Sequence, residues 1–272
     1  MRENLFKESL KYVFEEHKNN FNNLLKLSKE NMQQQTLRTS LGLGWVVFRD
    51  LIYYIVFILF RLLMSGSGTV EGMNFILFLL LGLVPWNFMG ECINGGVTAI
   101  KRNKQILASI KFPIVILPTV EVLAIFIKRL FTLLILLISI IYFGDIKNIT
   151  LWMLMYYFIC MFVIMAIWNL IFSSLVAISN DFEQLYRAIT NVLFYSMPII
   201  WSFETLGNNV GVIRLFKLNP FVYIIEGFRN ACVTGKLPDL QYTIYFWVLS
   251  FVLLVIGSVL QYKLRRHYID LI

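Results

Sequence analysis

Lys128 and Arg129 stand side by side inside an apolar run that extends from Ile114 to Phe143, and no other adjacent pair of cations lies so deep in an apolar stretch of this sequence. A cation at mid-bilayer depth costs about 2.5–3.5 kcal/mol on insertion scales, so such a pair must face protein, water or an opposite charge. Glu121 precedes the pair by about two helical turns on a similar face, and Glu91 is a second acid in an apolar run. Two chemistries are open to Lys128 and Arg129: structural pairing with Glu121 or Glu91, which is the favoured reading, or a basic lining for an anionic substrate. Aromatic residues make up 16% of the chain, and Tyr53, Phe57 and Trp86 belong to its aromatic clusters. Most such rings form interfacial belts and lipid contacts, while a minority can stack on sugar rings in a pore.

Other chemistry finds little support. The two histidines, His17 and His267, lie near the chain ends outside the apolar runs, so no His-containing metal, haem or triad site fits within a membrane. Asp50, Glu91, Glu121 and Asp181 form no close acid–base pair in sequence. Gly66, Gly68 and Gly72 are not followed by the Lys-Ser/Thr of a phosphate-binding loop. Cys92, Cys160 and Cys232 are widely spaced and read as packing residues. The expectation is a non-enzymatic chain with no metal, no cofactor of its own and no ATPase motif.

The elements that must position these residues follow from composition. Of 272 residues 58% are hydrophobic and 15% charged, and the mean hydropathy is +0.72. Soluble domains carry about 45–50% apolar and about 25% charged residues, so this is a membrane protein. Each span needs roughly 20 apolar residues. The runs place spans at about 44–64, 75–100, 114–143, 151–178, 184–203 and 242–262, giving an all-α, six-span protein with residues 41–272 as its transmembrane domain. Pro85-Trp86 predicts a kink in the second span, and the glycine-containing segment 65–74 reads as a flexible turn. The apolar pieces Val210 to Phe216 and Phe221 to Val233 are too short to cross and read as re-entrant helices. Residues 1–40 show no signal-peptide core. Phe6, Leu10, Val13, His17, Phe21 and Leu24 recur at helical spacing there, with Lys7, Lys11, Glu15 and Lys18 on the other face, as in an amphipathic helix packed on protein or lying among headgroups.

Charge then sets orientation. Sixteen of the 24 lysines and arginines fall on one side of the six-span arrangement, five on the other and three within spans. The excess marks the cytoplasmic side and places both termini there, and the net charge of +8 therefore gives no reason to invoke nucleic acid.

The order of these features resembles a known family. An amphipathic N-terminal helix, TLRTSLGLGW at 36–45, Ile110-Lys111-Phe112-Pro113, NDFEQLYRAITNVLFYSMPIIW at 180–201 and Leu218-Asn219-Pro220-Phe221 together look like the permease subunit of bacterial ABC exporters (the type-2 permease class) for lipid-linked polysaccharides and teichoic acids. Arg49-Asp50 departs from the pattern, in which a proline follows the Trp-containing turn. The resemblance covers nearly the whole chain. It implies a homodimer in the bacterial cytoplasmic membrane, served by two copies of an ATP-binding subunit that carry the ATP and Mg. It also implies a coupling helix over 100–112 with Asn103, Ile106, Ser109 and Lys111 as contacts, and a gate segment over 34–45 including Arg38 and Trp45. Residues 203–233 would form re-entrant helices at the outer face, and aromatics would line a glycan path, for which Lys128, Arg129, Tyr53, Phe57 and Trp86 are the candidates. The basic connector Lys101-Arg102-Asn103-Lys104 offers a docking site for the ATPase. Rival readings are an ABC permease for a drug or small lipid, and a membrane-embedded transferase acting on a lipid carrier, which would need an acidic metal-binding motif where only Asp181 and Glu183 stand.

Overall fold

The computed structural model describes residues 2–36, 40–65, 68–103, 113–144, 149–207, 209–233, 235 and 239–265. Two helices, α1 (Arg2–Asn19) and α2 (Phe21–Thr36), precede the first long apolar helix, α3 (Gly44–Ser65). A short hairpin, β1 (Thr69–Val70) with β2 (Met73–Asn74), leads into α4 (Phe75–Glu91). A π-helical turn at Cys92–Gly96 and the single-turn α5 (Ala99–Arg102) follow. A 3-10 turn at Ile114–Ile116 opens α6 (Leu117–Phe143), which is succeeded by α7 (Leu151–Ile178) and α8 (Asn180–Ser196). Beyond a 3-10 turn at Phe203–Leu206 lie α9 (Val210–Lys217), α10 (Pro220–Val233) and α11 (Leu240–Leu264).

Among the described residues the fold is all-α apart from the hairpin. Among the described residues four stretches are long and apolar enough to cross a membrane: 75–96, 114–143, 151–178 and 240–264. The other two candidates are less clear-cut. α3 has 22 residues but carries Arg49, Asp50 and Arg61, and α8 has 17, short of the roughly 20 that a bilayer core requires. Large exposed side chains such as Leu63, Ile138, Ile141, Ile159 and Val252 face outward along these helices, as a lipid-facing surface requires.

α4 is the centre of the core. It is hydrophobic on every side, and a helix of that kind must be enclosed; residues Phe75 to Met89 are buried almost without a break. Asn74 starts it by accepting a hydrogen bond from the Ile76 amide at 2.9 Å. Pro85-Trp86 predicts a kink or break after the first half of the second span; α4 runs on through Pro85, and its α-helical hydrogen bonding gives way seven residues later, in the π-turn. Gly96 in that turn lies against the Asn169 side chain of α7, so closely that a Cβ there would overlap the amide. Segment 65–74, expected as a flexible turn, instead pairs Thr69 with Asn74 and Val70 with Met73. Glu71 and Gly72 both take positive φ, 50° and 77°, which matches the twist of a two-residue hairpin.

The N-terminal face also differs from expectation. A turn at Asn20 splits it into two helices, and Val13 and Leu24 are buried with Val115, Ile116, Val120 and Leu170 while Phe6 and Phe21 stay exposed. α1 lies along the end of α11, where the Tyr12 and Tyr262 rings meet edge to face at 5.9 Å and the Arg265 guanidinium stacks over Tyr262 at 4.0 Å.

Candidate functional site

Lys128 and Arg129 point inward from α6 and are both buried, as their cost in an apolar helix demands. Glu91, the last residue of α4, takes both: Oε1 pairs with Lys128 Nζ and Oε2 with Arg129 Nε at 2.6 Å. Arg129 also pairs through Nη1 with Asp50 of α3, which accepts a further hydrogen bond from the Thr132 hydroxyl at 3.1 Å. Glu121, the nearer acid in sequence, is engaged elsewhere. It pairs with Arg102 of α5 at 2.6 Å and accepts from Gln35 at 2.8 Å and Asn31 at 3.5 Å, both on α2. The Gln35 carbonyl oxygen accepts from Lys128 at 2.8 Å, so this one amide joins the two halves. The result is a polar belt crossing α2, α3, α4, α5 and α6 in which Arg102, Lys128 and Arg129 are matched by Glu121, Glu91 and Asp50.

Beside the belt a groove of about 800 Å³ opens between four helices. Arg49, Asp50, Tyr53 and Phe57 of α3 form one wall, and Trp86, Asn87, Gly90 and Glu91 of α4 its floor. Thr190, Asn191, Phe194 and Tyr195 of α8 close the other side, with Asn94 and Arg129 completing it. The rings are mutually supported: Tyr53 meets Phe57 at 4.7 Å and Phe194 meets Trp86 at 5.6 Å. A second cavity of about 450 Å³ is lined by Gln35, Trp45, Ile52 and Lys128, and it shares Arg49 and Glu91 with the first.

Four of the five candidate path residues, Tyr53, Phe57, Trp86 and Arg129, thus line one groove, and Lys128 lines its neighbour together with Trp45 of the expected gate. Trp45 is half exposed and packs edge to face on Phe48 at 5.7 Å. Asn103 is buried and folds back to donate to the Ala99 carbonyl at 2.8 Å. Arg38, Ile106, Ser109 and Lys111 lie outside the described residues. The basic connector is partly turned inward. Lys101 pairs with Glu183 of α8 at 2.7 Å, and Arg102 with Glu121 as described. Glu183 also holds Arg187 at 3.0 Å.

Sequence reasoning missed Asn31, Gln35 and Asp50 as partners. A signal for the first two was present, because buried Leu24, Ser28 and Asn31 recur at helical spacing toward Gln35, a stripe whose polar members need partners. It also missed Arg229, one of the five cations assigned to the side opposite the cytoplasm. Arg229 is fully buried on α10, stacked at 3.5 Å on Phe78 and donating to the Ile199 carbonyl at 3.1 Å.

Several long apolar helices around a polar, aromatic-walled groove define a multi-pass membrane protein. The chain is 21% identical over 255 residues to the O-antigen export system permease protein RfbA of Myxococcus xanthus, covering 91% of this chain and 94% of that protein. It is 21% identical over 254 residues to the protein of that name from Klebsiella pneumoniae, covering 93% and 95%. No protein-family model matches the chain. The resemblance to type-2 ABC permeases for polysaccharide export, drawn from ordered motifs, therefore extends over nearly the full length, and it is a resemblance to transport subunits rather than to enzymes.

Proposed function

We propose that this chain is the membrane-spanning subunit of an ATP-driven exporter that moves a lipid-linked cell-surface glycan, polysaccharide or teichoic acid, across the bacterial cytoplasmic membrane. The observation that carries this reading is the groove: aromatic faces, amides and a few fixed charges converge on one elongated space, the lining that a hydroxyl-rich chain needs. Full-length similarity to O-antigen export permeases supports the same class. In this reading α3 and α8 join the four long helices as spans, α9 and α10 are re-entrant at the outer face, and both termini are cytoplasmic. A second copy of the chain would complete the path beside this groove. Two ATP-binding subunits, with their ATP and Mg, dock at residues 100–112, and segment 34–45 with Arg38 and Trp45 gates the entrance.

Deletion of the chain from its native cell should abolish the surface glycan and leave its lipid-linked form inside. Wild type should restore export and Trp86→Ala should restore little. The purified chain should capture an ATP-binding subunit. Normal surface glycan after deletion, with no such subunit captured, would sink the proposal.

A further inference from the structure

The charges beside the groove point to the class of glycan it accepts, an inference that rests on the export reading above. A permease for a polymer with a phosphate on every repeat would gain from uncompensated cations along its path, because a cleft lined by one sign of charge focuses its field on the opposite sign. This groove is built otherwise. Lys128 and Arg129, the cations that the sequence offers to an anionic substrate, are both held by Glu91, and Arg129 is held by Asp50 as well. Asp50, Glu91 and Arg129 all reach the groove wall, so a polyanion would meet two carboxylates there. The remaining lining is aromatic rings, Asn87, Asn94 and Asn191 amides and the Thr190 hydroxyl, groups that bind hydroxyls and ring faces without charge. One cation of the lining is held only loosely. Arg49 lies where the two cavities meet, its side chain 65% exposed and its Nε 4.0 Å from the Asp50 carboxylate that Arg129 already engages.

We propose that the groove passes an uncharged glycan, with Arg49 the one position prepared for a single anionic group, such as the phosphate that joins a glycan to its lipid. Of the two glycan classes in the export reading, the carboxylates that neutralise Lys128 and Arg129 favour the uncharged polysaccharide over a repeating polyphosphate such as a teichoic acid. The charge match would then be a selectivity device as well as a structural one.

The test uses the purified full chain in lipid nanodiscs, with fluorescence quenching that is lost in Trp86→Phe as the readout. The probes are neutral hexose and N-acetylhexosamine oligosaccharides against poly(glycerol phosphate) of equal length. Wild type should favour the neutral probes by at least about tenfold at physiological salt. Asp50→Asn should narrow or reverse that preference, since it frees Arg129 from one partner, and Arg49→Gln should weaken binding of a neutral oligosaccharide carrying one terminal phosphate. Tighter, salt-sensitive binding of poly(glycerol phosphate) by wild type would overturn the inference and leave the export reading standing. Quenching by neither probe would remove the groove as a glycan path, and the inference with it.

Discussion

Glu91 is the residue on which the buried cations converge, and its replacement tests whether the belt acts as a unit. Glu91→Gln would leave Lys128 with Gln35 and Arg129 with Asp50, one positive charge in excess inside the protein. Removing one partner of a buried ion pair costs about 3–5 kcal/mol, chiefly through the charge left behind. Thermal unfolding in detergent should therefore show a large loss for Glu91→Gln and a smaller one for Glu91→Gln with Lys128→Gln, which restores the balance. Equal losses would mean that the two charges are not coupled. This prediction could be framed only in part from sequence. The cost of Lys128 and Arg129 in an apolar helix demanded an acid, and the chain offered few. Which acid served could not be read, because Glu121 is near along α6 while Glu91 and Asp50 are near only once α3, α4 and α6 have packed, 37 to 79 residues away.

Elements pack here through close approaches and neutral polar contacts, and two of these can be perturbed separately. α1 docks on the start of α6 through His17. The Val13 carbonyl, at 2.7 Å, can only accept, so Nδ1 carries the hydrogen and Nε2 of the neutral ring accepts from the Thr119 hydroxyl at 2.8 Å. Burial lowers the His17 pKa below its ordinary 6.5, against smaller opposing effects of the Val13 hydrogen bond and Glu16. A lowered folded-state pKa means that the unfolded chain takes up the proton first as pH falls. The contribution of His17 is therefore complete above about pH 6.5 and is lost as pH drops from there toward the folded-state value. Hydrogen-exchange protection across α1, taken relative to the intrinsic exchange rate at each pH, should fall between about pH 7.5 and about pH 5.5, and His17→Gln should flatten that response. The second contact is Gly96 against Asn169, where a methyl group collides with the amide. Gly96→Ala should destabilise the α4–α7 crossing by about 1–3 kcal/mol, and Asn169→Ala added to it should recover much of the loss. Long apolar helices such as Leu151–Ile178 were legible at this scale because length and hydropathy are local properties. The hairpin at Thr69–Asn74 and the split at Asn20 were not, since each depends on what the segment packs against rather than on its own pattern.

Across the whole molecule, the connection between α5 and the groove decides how a docked partner could act. Lys101 and Arg102 looked in sequence like surface charges awaiting an ATPase, yet one holds α8 through Glu183 and the other holds α6 through Glu121. α6 and α8 both line the groove, and Glu121 is linked through Gln35 to Lys128. Displacement of α5 would therefore pull on two groove walls through ionic struts rather than through backbone alone. Under the export reading, reversing Arg102 should break the transmission and leave docking largely intact. Arg102→Glu should retain capture of the ATP-binding subunit and lose most glycan export, and the swap of Arg102→Glu with Glu121→Arg should restore part of it by re-forming the pair inverted. Lys104→Glu is the comparison, since it alters the charge of the same connector while keeping Lys101 and Arg102, and it should weaken capture instead. The measurements are co-purification of the ATPase and surface glycan level in the same cells. If Arg102→Glu and the swapped pair lose capture alike, the arginine is a docking contact and the strut is not what couples the partner to the groove.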